Sequence, residues 1–302
     1  MKRGILAVIE PEHYPETVVE RAAWLARQLG FELELFLCDP TSAFLSEIFI
    51  VSSEVLELTQ SMSQAQEELL QQLAEAARRD GATVHTRISR ERPVADVVAA
   101  RAADTEALFV LKGTHHHSAI ERASFADTDW QLIRKLGSPL WFVKPTPWKV
   151  GPLIVAAVDP MHEKDRPAAL DRRIVAVAQA VAAQCNGRVE LLHTYHRLVE
   201  IGSVANRALN PTKLPLDELD RKIREEHRRA LERFAADCGV PGDAIHQLPG
   251  RAHELLPTYA RTHGASLVVM GALSRSGLKE RFIGNTAARA LDYLPCDVVV
   301  VR

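Results

Sequence analysis

The sequence predicts an α/β protein of two tandem, doubly wound domains, each with a five-stranded parallel sheet of order 3-2-1-4-5 and helices on both faces. Three observations support this fold class. The chain has 302 residues, which is enough for two domains of ordinary size. Short, almost continuously apolar segments alternate with amphipathic ones, a pattern typical of parallel strands covered by helices on both sides. The strand segments of the first half also recur in the second half.

The internal repeat consists of matched apolar segments. The segment ALFVLKG at 107–113 corresponds to SLVVMG at 266–271, and the two closing glycines are 158 positions apart. The segment ILAVIEP at 5–11 corresponds to IVAAVDP at 154–160, at a smaller offset of 149 positions. The second copy therefore has extra residues between its first strand and its first helix.

Helices and a linker complete this organisation. The segment EELLQQLAEAARR at 67–79 has leucine and alanine on one helical face and charged residues on the other. The segment KPTPWKVGP at 144–152 contains the prolines and glycine that are typical of a short linker. We therefore place the first domain at 1–147 and the second domain at 148–302.

Two connections are longer than an ordinary βα loop of about 2–6 residues. Residues 39–62 are rich in apolar side chains, and residues 196–216 are more polar. Two interpretations of 39–62 stay open: an added helix that packs on the core, or a lid over an apolar ligand pocket.

Composition and motifs exclude several classes of function. The net charge of −2 gives no reason to expect a nucleic acid or a membrane surface as partner. No apolar run approaches the ~18 residues of a membrane span, and the N-terminal residues do not form a secretory leader. The four cysteines have no disulfide or metal-site spacing, so we expect reduced thiols in a cytoplasmic protein.

No catalytic or metal site is predicted. The chain has no hydrolase nucleophile motif, no P-loop and no HExxH motif. The run His115, His116 and His117 is interpreted as a solvated loop, because consecutive loop residues rarely point to one metal centre.

The candidate ligand site lies where strands of the second half end, since ligands of open α/β sheets bind beyond the carboxyl ends of the strands. Asp159 follows the first strand, His193 lies in the second, and Gly271 closes the fourth. For His193, a ligand contact and a hydrogen-bonded core histidine are both open. The glycine-rich run 271–291 leads into a helix for which Asn285 is a suitable N-cap. Two interpretations of this run are open: an anion site formed by backbone N–H groups, or a turn that serves the fold alone.

These residues resemble the universal stress protein family, and the whole chain resembles its tandem, two-domain E type. The resemblance rests on the repeat and on VVMGALSRSGLKERFIGNTA, in which members that bind ATP have the pattern G-x2-G-x9-G-[S/T]. It implies an adenine nucleotide alpha hydrolase-like fold. It also implies an ATP or other adenine nucleotide site in the second half, with Mg²⁺ accompanying the phosphates. The cofactor-binding residues are then Asp159, His193, Gly271, Ser274, Gly284, Asn285 and Thr286, with Ser274 at the middle glycine position and Asn285 at the final Ser/Thr position.

The first half departs further from this pattern. Gly113 is retained, but His116 and Ala126 stand at the other two glycine positions, and Glu10 replaces the strand-end aspartate. Asp127 and Asp129 open the following helix, where we expect their carboxylates to serve its free N–H groups and to repel a phosphate. The first half is therefore predicted not to bind a nucleoside triphosphate.

The function predicted from these observations is a non-catalytic, stress-response protein that binds a small ligand, ATP, in its second domain. Slow ATP hydrolysis stays open. The alternatives are a binding module for an apolar small molecule or lipid under the 39–62 segment, and a structural scaffold whose sites have decayed. The resemblance further implies an intramolecular pseudo-dimer of the two domains, and two chains that associate as a homodimer.

Overall fold

A computed structural model describes residues 4–41, 44–45, 53–114, 128–161, 166–197, 216–272 and 291–302. Residues up to Thr146 belong to one compact unit, and the described residues from Pro147 to Val301 belong to the other. Among the described residues, every helix is too short or too polar to span a bilayer.

The first unit alternates strands and helices along its whole length. Its elements are β1 (Gly4–Ile9), α1 (Pro15–Leu29), β2 (Glu32–Cys38), α2 (Ser53–Arg79), β3 (Val84–Ser89), α3 (Val94–Asp104), β4 (Phe109–Gly113), α4 (Thr128–Lys135) and β5 (Leu140–Val143). The strands hydrogen-bond in the order β3-β2-β1-β4-β5, and all these pairs are parallel.

The second unit repeats this topology. Its elements are β6 (Leu153–Ala157), α5 (Arg166–Cys185), β7 (Arg188–Tyr195), α6 (Leu216–Asp237), a 3₁₀ turn (Gly242–Ala244), β8 (Ile245–Pro249), α7 (Ala252–His263), β9 (Ala265–Gly271) and β10 (Asp297–Val301). The strand order is β10-β9-β6-β7-β8, again parallel. The predicted order 3-2-1-4-5 is thus confirmed in each half.

Local sequence explains where these elements begin, end and pack. Pro15 starts α1, where a missing N–H group costs nothing, and Gly30 ends it in the left-handed conformation with φ 69°. All four residues of β5 (LWFV) and the four valines of β10 are buried, as their apolar runs predict, and Asp297 at the start of β10 is buried as well. The apolar face predicted for 67–79 is also present, since Leu70, Leu73 and Ala77 of α2 are buried.

The long connection at 39–62 is helical in part, because α2 already begins at Ser53. Leu56 and Leu58 of its first turns are exposed. Residues 42–43 and 46–52 lie outside the described residues, as do residues 198–215 of the second long connection. The choice between an added helix and a lid therefore stays a prediction.

Candidate functional site

The candidate site of the second half lies where β6 and β9 end. The two strands are neighbours with Ala156 opposite Val269, so their carboxyl ends meet at the same edge of the sheet. Asp159 lies two residues beyond β6, and its side chain is 33% exposed. Gly271 is the last residue of β9. The structure therefore brings together these two predicted site residues.

His193 is fully buried beside this edge. Its Nδ1 atom lies 3.1 Å from the Val158 carbonyl oxygen, and its Nε2 atom lies 2.7 Å from Nδ1 of His227 in α6. A carbonyl oxygen only accepts, so Nδ1 of His193 is the donor. Nε2 of the neutral ring must then accept the N–H of His227. The two rings are nearly parallel, with centroids 5.0 Å apart and planes inclined by 20°.

This arrangement holds His193 neutral. The pKa of His193 is lowered to about 4, mainly by burial; the Val158 carbonyl raises it in part, and the neighbouring His227 contributes to the lowering. Burial also lowers the pKa of His227. Because both ring nitrogens of His193 are engaged within the protein, a direct bond to a ligand would require one of them to break. In the structure His193 is thus a buried histidine with a protein partner at each ring nitrogen.

Asp171 joins the site from α5, although the sequence analysis did not single it out. Its side chain is buried, and Oδ2 accepts a hydrogen bond of 3.3 Å from the backbone N–H of Asp159. Burial raises the pKa of Asp171 to about 7. The sequence offers no signal for this role, because an acidic residue beside two arginines early in a helix is typical of a solvated first turn.

The remaining predicted residues of the second half lie outside the described residues. These are Ser274, Gly284, Asn285 and Thr286. Their contacts with a nucleotide stay predictions from the sequence.

The corresponding edge of the first half is filled by a buried ion cluster. Lys112 of β4 forms an ion pair with Asp129 of α4, and its Nζ atom lies 3.0 Å from Oε2 of Glu10. The hydroxyl of Thr114 donates to Oδ2 of Asp129 at 3.2 Å, and His13 Nδ1 lies 2.8 Å from Oε2 of Glu10. Lys112 and Asp129 are almost completely buried.

Charge compensation holds the cluster together. Burial alone would lower the pKa of Lys112, but the carboxylates of Asp129 and Glu10 raise it above its usual range. The hydrogen bond to Glu10 likewise raises the pKa of His13. The position of Asp129 at the start of a helix is confirmed, but the sequence gives no sign that Lys112 is its partner. A lysine inside an apolar strand and an aspartate seventeen positions later carry no common pattern.

Backbone covers the same edge of the first half. The turn after β1 brings the His13 carbonyl oxygen to 1.9 Å from the point where a Cβ atom on Gly113 would lie. Gly113 is therefore needed because a residue with a Cβ atom would leave no room for the turn after β1. The described part of this strand-end edge is therefore occupied by the chain's own residues.

The described residues of the two edges do not indicate metal ligation. Within the described ranges, no group of three or more His, Cys, Asp or Glu side chains could hold a metal ion. The predicted solvated loop at His115, His116 and His117 lies outside these ranges, as do Ala126 and Asp127.

Comparison with known proteins agrees with the fold and the repeat. The model of the universal stress protein family matches residues 1–144 and again residues 154–302. The chain belongs to the universal stress protein family. Its two matched segments are the tandem domains that the repeat predicted.

Full-length relatives of the family have the same two-domain length. Universal stress protein E of Escherichia coli K12 is 27% identical over 305 residues, which cover 100% of this chain and 94% of that protein. Universal stress protein E of Salmonella typhi is also 27% identical, with 95% of its length covered. The E-type resemblance is thus confirmed. The solved structure of a functionally unknown protein from Pseudomonas aeruginosa PAO1 shares the fold, with 24% identity, a TM-score of 0.70, and coverage of 99% of this chain and 92% of that one.

Acid should weaken the second domain through His193. Its pKa is 6.5 in an exposed chain and about 4 in the fold. The stabilisation is therefore complete above pH 6.5 and is lost as the pH falls toward 4. At about 1.4 kcal/mol for each pH unit, the loss amounts to ~3 kcal/mol. Urea unfolding of the wild type and of His193→Gln between pH 4 and 7 measures it as the difference between the two proteins.

Asp171 acts in the opposite direction and is common to both proteins. Its folded pKa is raised from 3.8 to about 7, so its contribution is present below pH 3.8 and is lost as the pH rises to 7. The contribution of Asp171 cancels when the free energy of unfolding of the variant is subtracted from that of the wild type. If the free energy of unfolding changes with pH in the same way for the wild type and for His193→Gln, His193 is not held neutral in the fold.

Proposed function

We propose that this universal stress protein is a non-catalytic stress-response protein that binds ATP in its second domain. The observation that carries the proposal is the position of Asp159 and Gly271 beyond and at the ends of the neighbouring strands β6 and β9, where the glycine-rich run 271–291 begins. An exposed carboxylate at this edge can accept hydrogen bonds from ribose hydroxyls or the base amino group. The glycine-rich run before a helix provides backbone N–H groups for phosphates.

The proposal assigns a role to each residue. Asp159 faces the ribose or base. Gly271, Ser274, Gly284, Asn285 and Thr286 receive the phosphates, and Mg²⁺ shares the phosphate charge. His193 holds the backbone that carries Asp159 and does not itself contact the nucleotide.

One nucleotide should bind per chain. Titration calorimetry of the full chain with ATP and Mg²⁺ is expected to give a stoichiometry near one and a Kd in the micromolar range. Gly284→Trp should abolish binding, because the new side chain would fill the space for the phosphates. Gly242→Trp is the matched control, since a Cβ atom there meets nothing within 4 Å.

The same titration tests the closed first half. Asp159→Asn should weaken binding without changing the number of sites. A stoichiometry of two, or residual micromolar binding in Gly284→Trp, would mean that the ion cluster of Glu10, Lys112 and Asp129 opens for ATP. Wild-type affinity no tighter than millimolar would contradict the proposed function.

A second candidate is an apolar small molecule or lipid bound under the 39–62 segment. The observation that favours it is exposed apolar surface, since Phe44, Leu56 and Leu58 are 46%, 58% and 52% exposed. Mass spectrometry of small molecules released from the purified protein distinguishes the candidates. An adenine nucleotide supports the first, an acyl chain or other apolar compound supports the second, and a scaffold would release neither.

A further inference from the structure

Two buried side chains hold the two polar groups of a single peptide unit. His193 Nδ1–H donates to the Val158 carbonyl oxygen at 3.1 Å. The N–H group of the same peptide, which belongs to Asp159, donates to Oδ2 of Asp171 at 3.3 Å. His193 comes from β7 and Asp171 from α5, so the peptide is fixed from two separate elements.

The hydrogen bonds form a chain with one direction. His227 Nδ1–H donates to Nε2 of His193, whose Nδ1–H donates to Val158. The peptide N–H of Asp159 then donates to Asp171. Each group donates on one side and accepts on the other, so the bonds polarise one another in the same sense. The chain starts on α6 and ends at a carboxyl group on α5.

We propose that His193, His227 and Asp171 are positioning residues that fix the Val158–Asp159 peptide and thereby orient the Asp159 carboxylate in the ligand site. The proposal rests on the proposed nucleotide-binding function of Asp159. A residue whose backbone is held on both sides keeps its side chain in a narrow range of directions, which lowers the entropy lost when a ligand binds.

The first half lacks counterparts of two of these residues, His193 and Asp171. In the first half, Ile9 pairs with Leu37 of β2. In the second half, Ala157 pairs with Leu192, so the next residue, Val158, stands opposite His193. Since Ile9 and Val158 are equivalent in the repeat, Leu37 stands where β7 has His193.

The ends of α1 and α5 also match, because the Phe31 N–H bonds to the Ala26 carbonyl as the Gly187 N–H bonds to the Ala182 carbonyl. Counting back the same number of residues from Phe31 and from Gly187 leads to Pro15 and Asp171, so Pro15 is the counterpart of Asp171. Neither Leu37 nor Pro15 has a polar side-chain atom.

His193 and Asp171 thus occur in the half whose nucleotide pattern is nearly complete, and apolar residues replace them in the half whose pattern is degenerate. A purely structural hydrogen-bond chain would have no reason to follow the ligand motif. This distribution supports a role in ligand binding.

The test separates positioning from packing by two substitutions of His227. His227→Leu removes the donor to His193, and we expect ATP·Mg²⁺ to bind about tenfold more weakly, the effect of one lost buried hydrogen bond. His227→Asn keeps a side-chain N–H at the position of Nδ1, and it should restore affinity to within about twofold of the wild type. His85→Leu, which replaces an exposed histidine on β3, is the matched control and should bind as the wild type.

Asp171 gives a second, independent pair. Asp171→Asn keeps an oxygen that accepts the Asp159 N–H and should retain most of the affinity, whereas Asp171→Leu should lose about tenfold. Wild-type affinity in folded His227→Leu and Asp171→Leu would overturn the proposal.

A ligand-free measurement keeps the inference distinct from the proposed function. In ¹⁵N-labelled wild-type protein at pH 7.5, NMR should show His193 protonated at Nδ1 and not at Nε2. The opposite tautomer would overturn the hydrogen-bond chain, even if the leucine variants fail to fold. If the predicted tautomer is found but ATP does not bind, the proposed function fails while the fixed Val158–Asp159 peptide stands.

Discussion

Replacing Lys112 by methionine is expected to destabilise the first domain by about 3–5 kcal/mol, the usual cost of removing one partner of a buried ion pair. The Lys112 ammonium is 2% exposed and lies between Asp129 and Glu10. Without it, the fully buried Asp129 carboxylate has lost its counter-ion. Urea unfolding measures the loss, and tryptophan fluorescence reports on this domain because Trp130 and Trp141 are completely buried in it.

A double variant tests whether the loss comes from the stranded charge. At the repeat offset of 158, the second half has Met270 and Ala287 in place of Lys112 and Asp129. Lys112→Met/Asp129→Ala removes both charges, and we expect it to recover about 2 kcal/mol relative to the single variant. This recovery would show that the buried ion pair can be replaced by the uncharged residues that the other half has at these two positions.

The exposed pair of Lys135 and Asp96 is the control. Their side chains are 36% and 52% exposed, so Lys135→Met should cost no more than about 1 kcal/mol. An equally small loss in Lys112→Met would contradict the interpretation that the cluster closes the first-half site in a stable form.

The fold could be predicted from the sequence because its signals are local or repeated. Apolar runs such as ALFVLKG identify buried parallel strands, and their recurrence identifies the second domain. The strand order and the adjacency of Asp159 and Gly271 follow from that topology. Each of these predictions needs only the pattern of the chain.

The hydrogen-bond partners at the two strand edges could not be predicted in this way. Lys112 and Asp129, or His193 and His227, meet only after strands and helices have packed, and no periodicity joins them.

That the first half does not bind a nucleotide stays a prediction, but part of its physical reason changes. The sequence suggests repulsion of a phosphate by Asp127 and Asp129 and crowding by His116 and Ala126. Because Lys112 compensates the charge of Asp129, we expect occupation of the edge by the protein's own residues to contribute more than repulsion by Asp129.

Gly113→Ala is the second substitution with a large expected effect, because the added methyl group has no room. Its Cβ atom would lie 1.9 Å from the His13 carbonyl oxygen and 2.8 Å from the His13 Cβ atom. The turn after β1 would have to move, although His13 is bonded to Glu10 and Tyr14 beyond it already has a left-handed φ of 54°. We expect a loss of about 3 kcal/mol or more in the free energy of unfolding.

The repeat supplies graded controls for this prediction. A Cβ atom on Gly271 would meet the Leu170 Cδ2 atom at 2.9 Å, the movable end of a side chain, so Gly271→Ala should cost only about 1 kcal/mol. A Cβ atom on Gly137 would meet nothing within 4 Å, so Gly137→Ala should be neutral or slightly stabilising. Equal effects at Gly113 and Gly271 would contradict the backbone contact. The expected ranking implies that a glycine shared by both repeats is required in the first half for the chain's own turn, whatever the second half binds.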